Sequence, residues 1–189
     1  MRLKFVKKIA KTSLVICLLL TLSITSFASV VAYGSEDAGY MVATSQLRKN
    51  TNTYDDSALN STYKGYMKYG VKVWKESGVI TLKRKKSSDN KIDTYSSKNT
   101  STVAYTNTWV NTATGKIQRF EIKFNKAIMN GRDSTINKTT AAHEVGHTIG
   151  LLDLYEKKNK NKLMYGITNR TARKPTKADI KGGKYATRK

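Results

Sequence analysis

The chain has 189 residues, 35 of them Lys or Arg against 13 Asp or Glu, for a net charge of +22, and one cysteine, Cys17. A single cysteine excludes an internal disulfide framework and cysteine-based zinc or redox chemistry. The positive charge favours anionic partners such as cell-wall polymer, acidic membrane headgroups or acidic substrates; nothing has the aromatic spacing of a nucleic-acid module, so no specific nucleic-acid partner is expected.

Residues 1–28 open with Arg2, Lys4, Lys7, Lys8 and Lys11, run uncharged from Leu14 to Phe27 and end in small residues. That layout is a secretory signal peptide, with cleavage expected after Ala28 or Ala32. The apolar run is shorter than the ~20 residues of a membrane-spanning helix, and Cys17 lies inside it. The remainder carries 30 basic residues against 13 acidic ones, a charge of +17. Residues 33–189 suffice for one domain with its own core and not for two. The expectation is a single secreted, extracellular domain acting as a monomer.

Residues 57–76 place Leu59, Tyr63, Tyr66, Gly70 or Val71, and Trp74 at helical spacing, with Asp56 or Ser57 as the N-cap. A strand is expected over 78–84 and a second, shorter one over 91–97. Residues 102–124 read as a hairpin turning at "NTATG". Its second arm breaks strict alternation at Ile117, Phe120 and Ile122 or Phe124, the mark of a bulge. A helix is expected from about Thr135 to Ile149. The order helix, strands, hairpin, helix, short tail predicts an α+β fold with a helix against one face of a sheet. Asp89, Asn90 and Asp93 are too loosely spaced for a calcium loop, and no motif supports calcium.

The stretch "HEVGHTIGLLD", residues 143–153, contains both histidines of the chain. Four apart on a helix, His143 and His147 point to one face about one turn, ~6 Å, from each other and can share an ion. Glu144 reaches the edge of the same site, placed to touch a metal-bound water without being a ligand. Two nitrogen ligands and an open position suit zinc. Gly150 suits a left-handed helix stop, and a chain that bends there can bring Asp153 back as third ligand, with Glu156 the weaker candidate.

The segment resembles the zinc-binding helix of the metzincin metalloproteases. Histidine is the usual third ligand of that clan, and aspartate in its place resembles the small secreted bacterial snapalysin type. "KLMYG", residues 162–166, looks like the clan's Met-turn, with Met164 beneath the metal, and Met164–Tyr165 matches a pair common in matrixin-like members. The tail resembles their closing helix, with Thr176 as N-cap and Asp179 in capping-box position. The resemblance implies a twisted, mostly parallel sheet with an antiparallel edge strand, a backing helix, an active-site helix and a small C-terminal subdomain.

It also implies one catalytic Zn2+ held by His143, His147 and Asp153, with Glu144 as general base toward a metal-bound water. An edge strand including Thr102, Ala104, Tyr105 and Thr106 would pair with protein or peptide substrates, and Tyr155 or Tyr165 would support the oxyanion. The expected function is a secreted bacterial zinc endopeptidase. The alternatives are a non-catalytic cationic wall- or membrane-surface binder with a structural metal, and a wall-peptide amidase.

Overall fold

Ile117, Phe120, Ile122 and Phe124 are all sealed from solvent, and together they place one strand at the centre of the larger sheet. The computed structural model describes residues 31–188, so the expected signal segment lies outside the described residues. The central strand, β7 (Lys116–Asn125), pairs in parallel with β5 (Lys91–Tyr95) and antiparallel with β6 (Ala104–Asn111). Trp109 faces Arg119 but Val110 faces Ile117, which leaves Gln118 as the extra residue of a bulge. This is the expected break in alternation, and it lets Ile117 and Phe120 turn to the same buried face.

β3 (Thr51–Tyr54) and β4 (Thr81–Arg84) form a parallel pair. A single parallel bridge between Asp55 and Lys91 brings the end of that pair beside the start of β5, while β4–β3 and β5–β7–β6 remain two separate small sheets. An N-terminal hairpin of β1 (Val31–Ser35) and β2 (Tyr40–Ala43) stands apart and has no counterpart in the sequence expectations. Among the described residues the fold is thus mixed α+β, with small parallel and antiparallel sheets and four α-helices.

Helix α1 (Ser61–Glu76) starts later than expected. Asn60 is its N-cap, accepting from the Tyr63 amide at 3.1 Å, and neither Asp56 nor Ser57 serves. Asp56 is engaged by Arg84 Nε at 2.6 Å, and Asp55 accepts from the Ser57 amide at 2.9 Å. The buried stripe is Tyr63, Met67, Gly70, Val73 and Trp74; Tyr66 is only partly covered. Trp74 donates its indole N–H to the Ala142 carbonyl at 2.7 Å, which docks α1 on α3 (Ser134–His147). A short helix, α2 (Lys126–Met129), follows β7 directly and was not expected. The closing helix α4 (Lys177–Ala186) carries the expected capping box of Thr176 and Asp179.

The end of α3 sets up everything downstream. The Gly150 amide bonds the His147 carbonyl at 3.0 Å and the Leu151 amide bonds the Gly146 carbonyl at 3.2 Å, the paired bonds of a Schellman stop. Gly150 has φ +102°, and a Cβ there would lie 2.4 Å from the Ser45 carbonyl oxygen. Strain and clash act together, so Gly150→Ala is expected to lower stability by about 2 kcal/mol or more, read as a drop in thermal midpoint. An unchanged midpoint would mean that the turn tolerates a side chain.

Candidate metal centre

Helix α3 places His143 and His147 on one face, with their Nε2 atoms 3.0 Å apart. His143 Nδ1 lies 2.9 Å from the Leu163 carbonyl and His147 Nδ1 lies 2.8 Å from the Leu151 carbonyl. A carbonyl only accepts, so each Nδ1 carries a proton and donates it, and in the neutral ring Nε2 is left as a bare lone pair.

The chain beyond Gly150 is fixed against β2. The Ala43 amide donates to the Gly150 carbonyl at 2.8 Å, and the Leu152 amide donates to the Met41 carbonyl at 2.9 Å. This returns Asp153 to the helix. Its Oδ1 sits 3.0 Å from His143 Nε2 and 3.6 Å from His147 Nε2, buried and without a hydrogen-bond partner among the described residues. Three lone-pair atoms meeting this closely need a positive charge between them. Tetrahedral ligands with bonds of ~2.0–2.1 Å stand about 3.3 Å apart, within the spread of these separations. Among the described residues, this is the group of His, Cys, Asp or Glu side chains placed to hold a metal ion. The donors fit such an ion, although the set by itself does not single out zinc.

A proton and a metal ion compete for these atoms. Burial holds His143 below the ordinary imidazole range. Burial also opposes a charge on His147, but Asp153, Glu144 and the Leu151 carbonyl outweigh it and push that ring up to about 9. Burial would raise the Asp153 carboxyl, yet the two imidazoles hold it far below the usual carboxylate range.

Glu144, 4 % exposed, stands outside this trio. The Thr106 hydroxyl donates to its Oε2 at 2.7 Å and also reaches its backbone carbonyl at 3.2 Å. Glu144 therefore lines, with His143, His147 and Asp153, an open cavity of about 620 Å³. Thr102, Ala104, Tyr105 and Thr106 form part of the same wall; β6, the edge of its three-stranded sheet, begins at Ala104, so Thr102 precedes the strand it was expected to belong to.

Met164 lies under the helix, almost wholly buried. A Cβ on Gly146 would fall 2.4 Å from its sulfur, so the glycine between the two histidines is the space the methionine occupies. Its turn is held by Asp179, whose carboxylate accepts from the Leu163 and Met164 amides at 3.1 Å each. The Leu163 carbonyl is also the partner of His143. A Cβ on Gly166 would sit 3.0 Å from the Asp153 carboxyl carbon, so "MYG" closes tightly against the aspartate of the trio.

No protein-family model matches this chain, and no curated protein matches it. The site therefore rests on its own geometry.

That geometry separates the two tyrosines. Tyr155 lines the cavity and its hydroxyl donates to Asp153 Oδ2 at 3.2 Å; burial and the Asp153 charge raise its pKa, keeping it a proton donor. Tyr165 is buried and does not line the cavity, because its backbone pairs with Leu154. Glu156, the weaker ligand candidate, is exposed and pairs with Lys158. It does not join the trio.

Three contributors escaped the sequence reading. Thr106 was expected to offer backbone and offers its hydroxyl. Glu36, in the N-terminal hairpin, accepts from the Tyr155 amide at 2.6 Å and the Glu156 amide at 3.3 Å, which clamps the loop after Asp153. Arg170, one basic residue among 35, lines the cavity nearly buried; no local pattern set it apart.

Proposed function

We propose that the chain is a secreted zinc-dependent endopeptidase of the metzincin type, similar to small matrixin-like and snapalysin-like bacterial enzymes. The observation that carries the reading is Glu144: a buried carboxylate on the cavity, beside the three converging atoms and not one of them. A purely structural metal has no use for such a group. The parallel pairs with β6 as an antiparallel edge, α1 packed on α3, α3 at the site, and Met164 and α4 in the C-terminal part support that reading.

In this reading His143, His147 and Asp153 hold the ion. When bound, zinc supplies a Lewis acid for the scissile carbonyl and lowers the pKa of a coordinated water to about 7. Glu144 takes the proton from the attacking water and returns it to the leaving nitrogen. Thr106 holds Oε2 and so orients the carboxylate. The free edge of β6 accepts an extended peptide as an added strand, and its Thr- and Asn-rich sequence keeps that edge from aggregating when empty. Tyr155 stands ready as a donor near the reacting carbonyl.

The test is incubation of the purified protein with casein and, separately, with wall peptide fragments, followed by mass spectrometry of the products with and without a zinc chelator. Chelator-sensitive cuts within casein are expected. Cuts confined to wall fragments would make it an amidase, and none at all would favour a cationic surface binder.

A second outcome follows from the 2.7 Å contact. A hydrogen bond to a charged group is worth ~1.5–3 kcal/mol, so Thr106→Val is expected to lower kcat roughly 10-fold or more while zinc content stays at wild type. Steady-state kinetics with metal analysis measures both, and an unchanged kcat would remove Thr106 from the account.

A further inference from the structure

Arg170 is 5 % exposed, yet among the described residues its guanidinium finds one acceptor, the Tyr165 carbonyl, which Nε meets at 2.8 Å. A guanidinium has five N–H donors in a fixed fork. The terminal nitrogens are thus left without a protein acceptor, and no carboxylate of the described residues forms an ion pair with them. A guanidinium in that condition has donors to spare for a ligand.

Arg170 lines the cavity of the metal site together with Gly166 and Thr168. Burial first, and then the nearby charges of Arg132 and Arg173, push its pKa down to about 10, against the support of Glu144 and Asp153; it remains cationic at neutral pH. Neither supporting carboxylate is free for it, since Asp153 faces the histidines and Glu144 is held by Thr106. Arg132, whose charge also acts on Arg170, has its own Nη1 buried without an acceptor among the described residues. The cavity wall beside the metal site therefore carries a guanidinium whose terminal donors have no acceptor among the described residues.

We propose that Arg170 is the floor of a carboxylate-binding subsite in this cavity, which takes a carboxylate of the peptide substrate. The inference rests on the peptidase reading. A planar fork suits a carboxylate better than any other peptide group, because two parallel N–H donors meet two oxygens. The carboxylate comes either from an Asp or Glu side chain near the scissile bond or from the C-terminus of a short substrate. The bond from Nε to Tyr165 remains in place either way, so the same residue ties down the loop after Met164 and presents its other nitrogens to the substrate.

The experiment uses peptides of one scaffold in which Glu and Gln are exchanged at each position around the cleavage point, each peptide as free acid and as amide. With wild-type protein, kcat/KM is expected to favour Glu over Gln at one position, or acid over amide, roughly 10- to 100-fold. The position dependence tells the two carboxylate sources apart. Arg170→Gln should bring the ratio near one, whereas Arg170→Lys, which keeps the charge, should retain part of it.

Binding of the same labelled peptides to zinc-loaded Glu144→Gln protein, read by fluorescence anisotropy, separates this inference from the one beneath it. A Glu or free-acid preference in binding that vanishes in the Glu144→Gln, Arg170→Gln double variant upholds the subsite, even if no peptide is ever cut. Cleavage with no Glu–Gln or acid–amide difference overturns the subsite and leaves the peptidase standing. A preference that survives Arg170→Gln also overturns it. If that variant fails to fold, the wild-type ratio decides, and a ratio near one rejects the proposal.

Discussion

Glu144→Ala protein is expected to keep its zinc and to lose peptide hydrolysis by about 10²- to 10⁴-fold, the usual contribution of a positioned general base. The structure gives reasons to expect so clean a separation. Glu144 is not one of the three converging donor atoms, so its removal leaves the metal ligands whole. It is nearly buried, and truncating a buried carboxylate removes a desolvation cost as well as a contact. The Thr106 hydroxyl is not orphaned, because the Glu144 backbone carbonyl 3.2 Å away is still there to accept. The thermal midpoint should therefore stay at or above the wild-type value. Steady-state rates, metal analysis and melting together make the check. Loss of metal or of fold would show that Glu144 is structural, and full activity would remove it from the mechanism.

The second large effect belongs to Asp153. Asp153→Ala is expected to weaken zinc binding by more than about 100-fold, beyond the loss of an outer partner of a ligand, with hydrolysis falling alongside. Among the described residues its Oδ1 has no other partner, and the remaining bond, from the Tyr155 hydroxyl to Oδ2, is at an exposed side chain. The fold should survive, because Gly150 and the backbone bonds to β2 still hold the loop. Zinc at 100 times its dissociation constant stabilises the wild-type protein by about 2.7 kcal/mol; at that same concentration a 100-fold weaker site gains only about 0.4 kcal/mol. Melting curves with and without zinc would measure this directly. Wild-type stabilisation in the variant would assign the third ligand elsewhere.

The metal trio was legible in sequence because each step to it is local. Helical spacing aligns His143 with His147, and a glycine able to take φ +102° ends the helix where Asp153 can return. The capping box at Thr176 and the bulge in β7 are likewise short-range signals. The N-cap of α1 was missed because Asp56 and Ser57 are good caps by type, and it is a contact with Arg84, 28 residues away, that engages Asp56. The bridge from Asp55 to Lys91, the clamp from Glu36 and the placement of Arg170 depend on which distant segments meet. No window of sequence contains that information. Tyr155 and Tyr165 looked equivalent as neighbours of the site, and only the pairing of Leu154 with Tyr165 turns one inward and leaves the other on the cavity.

Titration of zinc into metal-stripped protein, with cleavage of a peptide followed at each addition, tests the central claim most directly. No cleavage is expected at the start, then a linear rise with added zinc and a plateau at one ion per chain. Cleavage that is already full before zinc is added, or absent at every zinc concentration, would contradict that claim.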